Sequence, residues 1–197
     1  TGGPEGAAPA IGLTAEDVEN LGIEYVIGGC HWPLYVPFER EAIIRDYHRQ
    51  YLFLATHPLV DIVAHPWWWM GHWKDADGGY RGDPWLDDFG KIPRSMHDEL
   101  AAAVKQHGTA IEINFNGILL NPGYPPGFVA QYVEYLAGLR SQGVRLALGS
   151  DTHSTVYGDR LVQDDGIARV ERMLDEIGLC EEDLWRLPPR PVHATGG

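Results

Sequence analysis

A chain of 197 residues, 44% hydrophobic and 22% charged, has the size and balance of one soluble globular domain with a substantial core. Its formal net charge of -13, from 28 acidic and 15 basic residues, repels phosphate backbones and argues against nucleic-acid binding. No apolar run is long enough for a membrane span, no segment has the pattern of a signal peptide, and two cysteines are too few for a disulfide scaffold, so a cytoplasmic setting is expected.

In chain order, residues 1–12 are rich in Gly, Ala and Pro and read as a loop that opens on Thr rather than Met. Thr14, with Glu16 and Asp17 behind it, marks an N-cap and an acidic first turn, starting a short helix to about Asn20. Short strand-type runs then alternate with helical stretches. Strands are predicted over 24–28, 60–64, 109–116 and 144–149, each β-branched or aliphatic and bounded by Gly, Pro or polar residues. Helices are predicted over 39–56, 95–107, 127–142 and 166–178. Ser95 offers an N-cap to the second of these, whose Leu100, Ala101 and Val104 form an apolar stripe. Gly108, Gly143 and Gly178 stand where C-terminal caps belong.

The alternation predicts parallel βαβ units within a single domain over 1–197, of which 187–197 form a tail. Residues 66–93 form a long non-helical stretch of the kind that often serves as a lid or binding loop. It carries five of the seven tryptophans, Trp67, Trp68, Trp69, Trp73 and Trp85, which would either plug the fold or wall a substrate site.

Polar residues gather where the strands end. The first strand runs into His31, the second into His65, and the fourth into Asp151 and His153, while the third carries Glu112, Asn114 and Asn116. In βα barrels the C-terminal ends of the strands converge on one rim, where active sites assemble. Imidazoles and a carboxylate at one rim are what a divalent transition metal needs. Asp151 and His153, two apart in an extended segment, would point the same way. A lone histidine at a strand end is more often a hydrogen-bonded structural residue, but four such groups at one topological position make coincidence harder to sustain.

The phrases Tyr25-Val-Ile-Gly-Gly-Cys-His31, Val60-Asp-Ile-Val-Ala-His-Pro66, Ile111-Glu-Ile-Asn114 and Leu148-Gly-Ser-Asp-Thr-His-Ser154 resemble, in order, motifs of the polymerase and histidinol phosphatase (PHP) superfamily. The resemblance implies the C-terminal part of a distorted seven-stranded, TIM-like βα barrel holding two or three zinc, manganese or iron ions that hydrolyse phosphoesters. Carried over by motif, His31 and His65 would hold one metal, Asp151 a second, and His153 a third or a phosphate-facing position. Asp151 and His153 would act in catalysis, and Asn114, Arg160 and Trp67 are candidates for contact with a small phosphorylated substrate.

One departure stands out. The family opens on a His-x-His pair followed by a further His and a bridging Glu, and no His-x-His pair occurs here. The expectation is that the N-terminal strands are absent from this chain and come from a second polypeptide or a removed segment, since four strands cannot close a barrel. Two alternatives follow: an amidohydrolase-type metal-dependent hydrolase, or a non-catalytic PHP-like binding or scaffold module that has lost its metals.

Overall fold

The computed structural model describes residues 8–37, 39–68, 88–153, 160–163 and 165–187. The order is α1 (Ala15–Leu21), β1 (Ile27–Gly28), α2 (Arg40–Thr56), β2 (Ile62–Val63), α3 (Arg94–His107), β3 (Ala110–Asn114), α4 (Pro126–Ser141), β4 (Leu146–Gly149) and α5 (Gly166–Ile177). The four strands form one parallel sheet in the order β1-β2-β3-β4. Helices fill the connections, as the alternation predicts. The sheet is open, with β1 at one edge and β4 at the other among the described residues. Four parallel strands are therefore observed, and the closed barrel remains an expectation.

Local chemistry sets the boundaries. Thr14 and Asp17 make a reciprocal capping box on α1, and Gly22 in the left-handed region ends it. α3 starts one residue before the predicted Ser95, with Pro93 as its N-cap, and Gly108 closes it at φ 76°. The strands are shorter than predicted because the ladder fails where the chain turns to build loops. β3 ends at Asn114, whose side chain accepts from the Gly117 N–H and starts a wide π-turn over Phe115–Leu119.

One face of the sheet holds the main core. Val63, Ile111, Ile113 and Leu146 are buried beneath helix residues that include Leu54, Leu100, Val104, Leu136 and Leu139. The other face is lined by small side chains, with Ile62, Ala110 and Ala147 forming a separate small cluster under Trp185. The Trp185 N–H donates to the Leu146 carbonyl at 2.7 Å, so the segment after α5 covers the outer edge of β4. On β1, Ile27 lies in register with Ile62 but is 52% exposed. No helix among the described residues is long and apolar enough to cross a membrane.

Candidate metal centre

Register decides which polar groups meet. Glu112 on β3 lies opposite Ala147, and Asn114 opposite Gly149, so the acid and the amide of β3 emerge on the small-residue face. Beside them stand the tips of β1 and β2. The rings of His31 and His65 have centroids 4.9 Å apart at an interplanar angle of 74°. A Cβ on Gly29 would meet His31 Cε1 at 2.9 Å and His65 Nε2 at 3.3 Å, so the missing side chain is what lets the two imidazoles close on one spot.

Two histidine loops are clamped from behind by residues of α2 and α4. After His31, buried Asp46 accepts from the Leu34 N–H at 2.7 Å, and Gln50 Nε2 donates to the Trp32 carbonyl at 2.8 Å. After His65, the Trp67 N–H donates to Tyr51 Oη at 2.7 Å, and Tyr132 Oη donates to the Pro66 carbonyl at 3.0 Å. The His65 amide itself donates to Glu112 Oε2 at 2.7 Å. These bonds hold His65 at φ 28° and Trp67 at φ 65°, a conformation that costs non-glycine residues on the order of 1–3 kcal/mol each.

Asp151 also adopts a positive φ, 51°, at the tip of β4. Its Oδ2 lies so close to Gly117 that a Cβ there would meet it at 2.7 Å. The Asn116 N–H donates to the Ser150 carbonyl at 3.2 Å and Asn116 Nδ2 to Thr152 Oγ1 at 2.8 Å, tying the tip of β3 to that of β4. The negative charge of Asp151 reaches both imidazoles and Glu112. Burial lowers the pKa of His31 while Asp151 raises it. Burial, then the neighbouring His31, lowers that of His65, and Asp151 again opposes. Burial raises the pKa of Glu112, with Asp151 adding to the rise and the bonds from Asn114 and His65 working against it.

The structure brings the rings of His31 and His65 together and leaves Asp151, at the tip of β4, within electrostatic reach of both. His153 is at the mouth of the rim: the side chain is 86% exposed and Nδ1 lies 2.9 Å from the carbonyl of Asp151. Arg160 Nη1 donates to the Asn116 carbonyl at 2.6 Å, which places the guanidinium on a cavity of about 360 Å³ lined by Trp68, Asn116, Asn121, Asp151, His153 and Arg160. Trp67 and Asn114 take other places. Trp67 is fully buried in the core against Tyr51 and His97, whereas Trp68, 5.4 Å from His65 and 5.8 Å from His31, lines the cavity. Asn114 is fully buried and spends its amide on Glu112 and Gly117. Asp61 caps the Val26 N–H at 2.8 Å and joins β1 to β2. His72 lies outside the described residues.

Sequence reading missed the supports: Asp46, Gln50, Tyr51 and Tyr132 carry no motif, and Glu112, noted on the third strand, gains its partners only once the register is known. For a metal, the donor set is suitable in part. His65 is 5% exposed, and its buried Nδ1 has no hydrogen-bond partner among the described residues. Both imidazoles favour the neutral form that ligation requires. Among the described residues, however, no three His, Cys, Asp or Glu side chains converge on a single metal position. Compared with family models, curated proteins and solved structures, the chain has no significant match to any of them.

Proposed function

We propose that this rim is part of a metal-dependent hydrolase site, of the PHP type suggested by the four motifs, acting on a small phosphorylated organic substrate. The observation that carries the reading is the pairing of His31 and His65 at 4.9 Å, within electrostatic reach of Asp151. His65 is buried while His31 stands at the exposed side of the rim, both favour neutrality, and Asp151 brings the carboxylate that complements them at a divalent cation. When bound, such a cation supplies hydroxide near neutral pH and offsets the charge of the phosphate oxygens. Arg160 then faces the cavity as an anion grip, and Trp68 as an apolar wall for the organic part of the substrate.

The reading extends to a barrel completed by strands outside residues 27–149, on a second polypeptide or another segment. The edge position of β1 with exposed Ile27, and the cover that Trp185 gives to Ile62, Ala110 and Ala147 on the second face, both among the described residues, support it. Such strands would also bring the additional ligands that a cluster of two or three ions needs.

A second reading, a scaffold that no longer holds metal, is favoured by one specific observation: the lack of a converging three-ligand set among the described residues. Elemental analysis after purification in zinc and manganese separates the two. About two bound equivalents, with hydrolysis of a generic aryl phosphate, support the enzyme, and no bound metal supports the scaffold. His65→Ala is expected to lose metal and to lower hydrolysis by more than about 100-fold. Unchanged turnover in that variant would refute the placement of the site.

A further inference from the structure

The rim histidines and Asp151 sit on three separate loops, and something must fix their separation before any ligand arrives. The bonds converge on one side chain. Glu112 is 7% exposed. Its Oε2 accepts the His65 N–H at 2.7 Å and Asn114 Nδ2 at 3.1 Å. Its Oε1 rests against Gly149, where any added Cβ would overlap it. Asn114 passes the hold onward, because its Oδ1 accepts the Gly117 N–H at 2.7 Å and Gly117 is the surface on which Asp151 Oδ2 lies.

From this geometry we infer that Glu112 is a positioning residue, which sets the His65 loop and the Asp151 loop at a common distance through the two bonds accepted at Oε2 and the seat of Oε1 on Gly149. The inference rests on the proposed metal site but goes beyond it, since none of the four motif ligands is Glu112. A carboxylate suits this role because one of its oxygens can accept two bonds while the group donates none, and here it is held between the turn after β2, β3 itself and Gly149 of β4. Its bond to the His65 amide also restrains that residue at φ 28°, a conformation the loop would otherwise leave.

Two readouts test the inference. The first needs no metal. Amide hydrogen exchange at His65 should quicken by at least about 100-fold in Glu112→Ala, and Glu112→Gln, whose side-chain oxygen still accepts, should restore most of the protection. The second is zinc titration against a chromophoric chelator, where Glu112→Ala should weaken affinity by about 10–100-fold and Glu112→Gln by less. A cooperative thermal transition in the Gln variant shows that the fold is intact. Gly149→Ala, which displaces the carboxylate without removing it, should weaken zinc binding in the same direction. Wild-type zinc affinity in Glu112→Ala overturns the inference while leaving the proposed function standing, as does Gln rescuing neither readout. Wild-type protein that takes up no zinc overturns the proposed function, and with it the purpose assigned to Glu112.

Discussion

His97 shows what a partly buried imidazole does in this molecule when no ligand role is in view. Its ring stacks on Phe89 at 5.2 Å with the planes 9° apart, touches Tyr135 at 4.6 Å and meets Trp67 edge-on. Burial pushes its pKa down to about 4; Asp98 opposes this, and the neighbouring His48 and Arg94 add to it, with Glu134 facing the same groove from α4. An unfolded histidine titrates near 6.5, so between about pH 6.5 and 4 the unfolded chain holds a proton that the folded chain refuses. Stability therefore falls as pH drops through that window and levels off below it. The loss from His97 is on the order of 3 kcal/mol at the low end. His97→Phe should remove that share of the slope, read as the difference in urea stability between pH 7 and pH 4.5 for the two proteins. An unchanged slope would mean the ring is hydrated in the folded state.

At the scale of elements, the site is built by helices that never reach it. α2 places Asp46 and Gln50 on the loop after His31, while Tyr51 of α2 and Tyr132 of α4 hold the turn after His65. Removing the Tyr132 hydroxyl leaves the buried Pro66 carbonyl without its donor, an exchange that costs about 1–3 kcal/mol. Tyr132→Phe should therefore lower stability by that amount and speed amide exchange over residues 65–68, with residues 27–31 unaffected. Uniform acceleration across both loops would show that Tyr132 supports the core as a whole.

This scale also explains what could be read in advance. The alternation of strands and helices and the C-terminal glycine caps at Gly108 and Gly178 are local patterns, and the structure follows them. Trp67 and Trp68 are different. They are neighbours, and only the positive φ at Trp67 decides that one enters the core and the other faces the cavity. Asp46 reads as a solvated helix residue, yet it is 3% exposed because the Leu34 loop folds back over it. Glu112 and Asn114 share a face by simple alternation, but their partners follow from pairing across β2, β3 and β4, which no single stretch of sequence encodes.

At the scale of the whole molecule, the described glycines differ in what stands in front of them. At Gly29, Gly117 and Gly149 an added methyl would meet, respectively, the two rim imidazoles, the carboxylate of Asp151 together with Asn114, and the carboxylate of Glu112. At Gly12, Gly127 and Gly138 it would meet nothing within 4 Å. A saturation library selected for folding should accept Ala at the latter three, with Gly138→Ala in α4 gaining about 0.5–1 kcal/mol from a stiffer unfolded chain. Alanine at the former three should be depleted, and free acceptance of Ala at Gly149 would contradict the close seat of Glu112. At these three positions the rim's polar atoms thus pack close against glycine backbone. Such positions offer no side chain to remodel, so new specificity at this site would have to come from the walls around Trp68 and Arg160.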